Sequence, residues 1–192
     1  MLSKGANVLK RSGFYLAGGT ALALQLGHRQ SVDFDFFSEE KQCSQTIINW
    51  LEEIPDLMVR DVNADTLHVE INAVKLSFIG GYRYPRVKDL VWVDGIGIAD
   101  IVDIGLMKFL AITHRATVRD YIDIAAIFKK AVSLTELISL CEQKYGKRFT
   151  PMIFLRGLVS FEDLDNEMPR VFDNSLKRRW KIILRSAVKA YV

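Results

Sequence analysis

The strongest constraint on this chain lies near its start. Phe14-Tyr15-Leu16-Ala17 is a short apolar run, Gly18-Gly19-Thr20 a glycine turn, and Ala21-Leu22-Ala23-Leu24-Gln25-Leu26 a compact helix closed by Gly27. Ser31-Val32-Asp33-Phe34-Asp35-Phe36-Phe37 follows, and its aromatics read as a strand. Strand, turn, helix and strand in so short a stretch commit the front of the chain to a sheet. In a strand, residues i and i+2 share a face. Asp33 and Asp35 are therefore expected to project together, with Phe34 pointing into a core. Two carboxylates this close repel each other and favour a bound cation, and hard oxygen ligands suit Mg²⁺. The turn can offer backbone N–H groups at a helix N-terminus to a phosphate, and Thr20 adds a hydroxyl. Together these elements would bind a nucleoside triphosphate and its metal. Each motif alone also fits a tight turn and a solvated edge. Their order, with 14 residues from Gly19 to Asp33, favours the joint reading.

Residues 42 to 54 carry Ile47, Ile48, Leu51 and Ile54 at helical spacing. Three strand-like runs follow, Leu57 to Val62, Thr66 to Ile71 and Val74 to Ile79, the last two flanking a turn at Asn72-Ala73. After Gly97 the period becomes helical. Val102, Leu106, Phe109 and Leu110 mark one helix, and Thr117 caps a second with Tyr121, Ile124, Ala125 and Phe128. Ser133 and Glu136 form a capping-box pattern, Gly146 closes that helix, and Thr150-Pro151 opens another. Glu162, Asp163, Asp165 and Glu167 make an acidic connection. A basic amphipathic helix, apolar at Leu176, Trp180, Ile183, Leu184 and Ala187, ends the sequence. Strands followed by helices predict an α+β fold: an α/β core over residues 1–98 and a helical region over 99–192 packing on it.

Composition excludes several classes. With 49% apolar and 26% charged residues, this is neither a disordered nor a collagen-like chain. No apolar run approaches the ~18 residues of a membrane span, and the N-terminus lacks a signal peptide's apolar stretch, which predicts a cytoplasmic protein without a membrane partner. The net charge is +3, but Lys177, Arg178, Arg179, Lys181, Arg185 and Lys189 all fall in the last helix, which carries no acid. The basic charge is a local feature that could meet a polyanion or simply solvate an outer face. Cys43 and Cys141 have no metal-ligand spacing and are expected as reduced thiols.

Tyr15 to Leu24, Leu26-Gly27-His28-Arg29 and Ser31 to Ser38 closely resemble the AbiEii/AbiGii toxin family, within the nucleotidyltransferase superfamily of DNA polymerase β-like catalytic fold. The resemblance continues through Val74-Lys75-Leu76-Ser77-Phe78, Met107-Lys108-Phe109-Leu110-Ala111 and Arg119-Asp120-Tyr121-Ile122-Asp123, covering roughly residues 14 to 130. It implies a mixed sheet with flanking helices and a helical bundle after it. It also implies Mg²⁺- or Mn²⁺-dependent transfer of a nucleoside monophosphate from a triphosphate to an acceptor hydroxyl. Members act as toxins in toxin–antitoxin or phage-defence systems, which makes RNA, transfer RNA in particular, the acceptor to expect, and a cognate antitoxin protein the partner. Asp33 and Asp35 match the family's metal-binding pair. Lys108 and Asp120 match its downstream lysine and aspartate, which complete the active site from the helical half. A triphosphate would then be the partner that a lysine in a mostly apolar helix needs.

Other readings stand beside these. Asp120 also fits a capping box with Thr117, and Asp123 an i, i+4 pair with Arg119. Arg29 follows a helix C-terminus, where positive charge is favourable in itself, yet could lean over phosphates. His28 shares that setting, and His68 and His114 have no metal-like neighbours. Many polymerase β-like enzymes carry a third carboxylate on a later strand. Ser77 occupies its natural place here, and Glu70 is the nearest substitute. That departure leaves two alternatives to the toxin reading: a small-molecule, antibiotic-type nucleotidyltransferase and a catalytically inert nucleotide- or protein-binding module.

Overall fold

The computed structural model describes residues 2–40, 45–146, 149–162, 164 and 167–192. Cys43, Asp163 and Asp165 lie outside them. The chain divides into two compact units: Met1–Ala21 with Val32–Asp100, and Leu22–Ser31 with Ile101–Val192. The sequence reading divides the chain at residues 98/99, and the two units divide after Asp100. The new feature is the excursion of residues 22–31 into the helical unit.

The first unit is built on a mixed sheet. Its strands are β1 (Tyr15–Ala17), β2 (Phe34–Phe37), β3 (Leu57–Val62), β4 (Thr66–Ile71), β5 (Val74–Ile79), β6 (Val91–Val93) and β7 (Ile96–Ile98), in the order β3-β4-β5-β2-β1-β7-β6. β2 runs antiparallel to β1 and parallel to β5, and β1 runs parallel to β7. Helices α1 (Leu2–Arg11) and α3 (Gln45–Glu52) belong to this unit. Leu67, Val69, Phe36 and Phe78 are buried on one face of the sheet, with the Phe36 and Phe78 rings stacked at 5.2 Å. Thr66, His68, Glu70 and Ser77 alternate with them and stay half-buried. One face is therefore the core and the other is open. Phe34 belongs to the core face but is only half-buried. It lines an apolar cavity of about 450 Å³ with Phe36, Leu76, Ala6, Leu9 and Trp50.

The β4–β5 hairpin turns at Asn72-Ala73 as expected, both residues at positive φ (50° and 62°). The β6–β7 hairpin is an addition to the sequence reading. It turns on Asp94-Gly95 (φ 49° and 81°), one of the dipeptides favoured in a two-residue type I′ turn.

The second unit holds α4 (Ile101–His114), α5 (Val118–Lys130), α6 (Leu134–Tyr145), α7 (Pro151–Val159) and α8 (Asn174–Tyr191). Thr117 and Ser133 cap α5 and α6 as expected, accepting from the N–H groups of Asp120 and Glu136. Tyr121, Ile122, Ile124, Ala125, Ala126 and Ile127 are fully buried, so α5 is the core helix. Asp173 caps α8, accepting from the N–H groups of Ser175 and Leu176 at 2.9 and 3.0 Å. Leu176, Trp180 and Leu184 bury its apolar stripe, while all six basic residues stay exposed. Cys141 is a buried free thiol, which burial pushes up to about 12.

Candidate functional site

Helix α2 (Gly18–Leu26) starts directly at the end of β1, so Gly18-Gly19-Thr20 forms its first turn and not a separate loop. Gly18 sits at φ 71°, a conformation that L side chains rarely adopt. A Cβ there would stand 2.9 Å from Asp35 Oδ2. Only glycine lets the Asp35 carboxylate press so close to the backbone at the head of the helix. The sheet register agrees, with Ala17 opposite Asp35. The structure thus brings the glycine pair and the second aspartate together.

Asp33 is placed differently from the expectation. β2 begins at Phe34, so Asp33 is the residue before the strand and not its i partner within it. The reason is upstream. Residues 28–30 pair instead with residues 170–172: Arg29 bridges Val171, Gln30 N–H donates to the Arg170 carbonyl at 2.9 Å, and Phe172 N–H to the His28 carbonyl at 3.0 Å. The chain re-enters the sheet only after Asp33. The Thr20 hydroxyl, expected to face nucleotide, donates to the Asp33 carbonyl, and Thr20 itself is buried. It fixes the backbone from which the first carboxylate springs.

The donor set fits a magnesium-type ion. Among the described residues no group of three or more His, Cys, Asp or Glu side chains is arranged to hold a metal. Mg²⁺ is commonly held by one or two carboxylates plus substrate phosphates, so Asp33 and Asp35 suffice when the substrate supplies the remaining oxygens. Ser77 lies directly opposite Asp35 on β5. The substitute carboxylate fails on position: Glu70 is one step along, opposite Lys75, and Arg60 holds it at 2.9 and 3.1 Å.

The second unit gathers the other candidates around Asp123. Its Oδ1 accepts from His28 Nε2 at 2.7 Å and Arg29 Nε at 2.6 Å, and its Oδ2 from Arg29 Nη2 at 2.9 Å. Lys108 Nζ lies 2.8 Å from Asp123 Oδ2 and 2.7 Å from Asp120 Oδ1. Asp120 Oδ2 accepts from the Thr117 hydroxyl at 2.8 Å, so Asp120 is both cap member and lysine partner. Burial would raise the Asp123 pKa, but the Lys108 charge, His28 and Arg29 outweigh it and hold the carboxyl well below the usual range. Burial would lower Lys108, and Asp123 and Asp120 together hold it above its ordinary value.

Three expectations are corrected here. Asp123 pairs with His28, Arg29 and Lys108, and Arg119 is exposed. Arg29 is buried, its guanidinium committed to Asp123 and the Gln30 carbonyl, so it braces the unit and is not poised over phosphates. Lys108 finds its partners in two protein carboxylates. His28 is the residue that local reasoning missed. Its imidazole is fully buried and meets a carboxylate 95 positions away, which no local pattern announces.

A family model described as nucleotidyl transferase AbiEii toxin, type IV TA system, matches residues 2–190. An uncharacterised protein of Aquifex aeolicus is 36% identical over 160 residues, 81% of this chain and 77% of that protein. Among solved structures, JHP933 from Helicobacter pylori is similar with a TM-score of 0.56 at 19% identity, covering 98% of this chain and 88% of that one. MenT4, a nucleotidyltransferase toxin from Mycobacterium tuberculosis, gives 0.58 at 13%, covering 97% and 81%. The antibiotic-resistance factor ANT(2'')-Ia gives 0.55 at 13%, covering 74% and 86%. These structures share the fold.

Proposed function

This chain belongs to the AbiEii nucleotidyltransferase toxin family, and we propose that it transfers a nucleoside monophosphate from a triphosphate to a hydroxyl on RNA, with transfer RNA the first candidate. The observation that carries the reading is the approach of the Asp35 carboxylate to the Gly18 backbone at the head of α2. Chelating side chain and phosphate-binding helix terminus then share one place. The N–H groups of the first turn would receive phosphate oxygens. Thr20 would keep Asp33 in register with Asp35 through the Asp33 carbonyl. Bound by Asp33 and Asp35, Mg²⁺ or Mn²⁺ would neutralise charge on the triphosphate as pyrophosphate leaves. The family pattern also assigns Lys108 and Asp120 to the reaction. Their ion pair is held ready by Thr117 and Asp123, and replacing either residue is expected to lower transfer.

The biological role that follows is that of a growth-inhibiting toxin in a toxin–antitoxin or phage-defence system, restrained by a separate antitoxin protein. The small-molecule alternative needs an acidic pocket. Two of the acids that could line one, Asp163 and Asp165, lie outside the described residues.

The test is incubation of the purified protein with Mg²⁺, each α-labelled nucleoside triphosphate in turn and total bacterial RNA, beside Asp35→Ala. Label in a discrete RNA band with the intact protein alone supports the reading and identifies base and acceptor. Absence of transfer with every triphosphate rejects RNA as acceptor.

A further inference from the structure

Asp35 is one member of a row that crosses four strands. It lies opposite Ser77 on β5, Ser77 lies opposite His68 on β4, and His68 lies opposite Asp61 on β3. Residues in register share a face of the sheet. Burial agrees, since Leu67, Val69 and Phe78 are buried on the other face while His68, Glu70 and Ser77 are half-buried. The row therefore lies on the open face that carries Asp35.

The carboxylates of β3 and β4 on this face are already engaged. Glu70 is tied to Arg60, which the bulge between Val59 and Asp61 leaves unpaired in the ladder. Asp61 accepts from Asn63 Nδ2 at 3.2 Å. The His68 side chain makes no hydrogen bond or ion pair with any described residue. Its Cα stands two inter-strand spacings from that of Asp35, roughly 10 Å. Between them in the register stands the short side chain of Ser77. An oxygen placed there would lie within reach of both a phosphate held at Asp35 and the imidazole.

We propose that His68 is the general base of the reaction, taking the proton that a carboxylate at position 77 would otherwise take. The inference rests on the nucleotidyl-transfer reading above. In the step, the acceptor hydroxyl oxygen bonds to the α-phosphorus and the bond from that phosphorus to the bridging oxygen breaks. Pyrophosphate leaves with the electron pair. The hydroxyl proton passes to an imidazole nitrogen of His68 and then to solvent. The groups facing His68 are Asp61 from β3, Ser77 and Lys75 from β5, and Thr66 and Glu70 on its own strand, the last neutralised by Arg60. Asp61 lies in register beyond it on β3. An imidazole nitrogen without a proton can accept one from a hydroxyl placed within hydrogen-bond reach.

The experiment measures label transfer to total bacterial RNA, with Mg²⁺ and labelled triphosphate, from about pH 5.5 to about pH 8.5. Wild type, His68→Asn and His68→Gln run in parallel, and calorimetric binding of the Mg²⁺–triphosphate complex is measured on each. A general base acts in its unprotonated form, so the wild-type rate is expected to fall toward the acid end of this range. Both variants are expected to lose about a hundredfold or more in rate and the acid limb with it, while binding the triphosphate as wild type does. Variants that keep the wild-type rate and acid limb overturn the role of His68 and leave the transferase reading standing. So do variants that lose rate only because triphosphate binding is lost. A wild type that transfers no label rejects both.

Discussion

Gly18 shows how much one backbone position decides. Gly18→Ala would place a methyl group 2.9 Å from Asp35 Oδ2, on a backbone at φ 71°. The left-handed conformation alone costs a non-glycine residue about 1–2 kcal/mol. The Asp35 carboxylate must also move, and in the proposed reaction a displaced metal ligand would lose the geometry on which transfer depends. Thermal melts of Gly18→Ala are expected to show that loss of stability, and transfer assays a rate loss far larger than the stability change explains. Asp123 decides the second unit in another way. It receives His28, Arg29 and Lys108 with its side chain fully buried, so Asp123→Ala leaves buried cations uncompensated and should cost about 3–5 kcal/mol. Its depressed pKa sets the sign with pH. The carboxylate's contribution is present above the ordinary aspartate value of ~3.9 and is lost as pH falls through the lower folded value. Lys108, raised by its two partners, contributes until pH climbs past the ordinary lysine value of ~10.4 and through the folded one. Unfolding midpoints measured in acid should fall below pH ~4 in wild type, and this part of the fall should be absent in Asp123→Asn.

At the scale of elements, capping chemistry is the readable part of this sequence. Thr117, Ser133, Gly146 and Thr150-Pro151 mark the ends of α5, α6 and α7 because a cap involves neighbours only a few positions apart. β4 and β5 are legible for a similar reason: each carries its own alternation, and the turn between them is two residues long, while β3 is a largely apolar run with β-branched Val59 and Val62. Three features were not legible. α1 precedes the region whose motifs attract attention, and β6–β7 are three residues each, too short for a period to appear despite Asp94-Gly95. The start of β2 depends on residues 28–30 pairing with 170–172, a partner more than a hundred positions away. The same distinction holds at the site. The Gly18–Asp35 approach is local enough to infer from spacing, whereas the convergence of His28, Arg29 and Lys108 on Asp123 is set by helix packing. The cap of α8 offers a direct check at this scale. Asp173 accepts from two backbone N–H groups and pairs with Lys129 at 2.7 Å, so Asp173→Ala should cost about 1 kcal/mol in denaturant unfolding. Asp173→Asn should keep most of it, because asparagine caps as well as aspartate and an exposed ion pair adds little.

Over the whole molecule the charge is uneven, and that carries a consequence for the acceptor. A net charge of +3 becomes −3 once the six basic residues of α8 are set aside. In an α-helix of 3.6 residues per turn, Arg178, Arg185 and Lys189 fall within about 40° of one another, opposite the stripe of Leu176, Trp180 and Leu184. One side of the helix is thus packing and the other is a basic line. The packing side answers one of the two readings of this helix, and the exposed side leaves the other to measurement. If the line contacts RNA phosphates, each contact releases condensed counterions, and affinity falls with salt by a slope of about 0.7 per phosphate on a single strand. Changing Arg178, Arg185 and Lys189 together to glutamine should then reduce the slope of log affinity against log salt by about 2. Stability should change little: these side chains are exposed and the buried stripe is untouched, and the Arg185 guanidinium over the Phe161 ring is worth about 0.5–1 kcal/mol. Fluorescence anisotropy of labelled RNA, titrated across a salt series with wild type and the triple variant, measures the slope. A variant with the wild-type slope would assign these charges to solvation alone and move the search for the acceptor-binding surface elsewhere. A slope reduced without loss of the chemical rate at saturating RNA would separate binding of the acceptor from the chemistry proposed at Asp33 and Asp35.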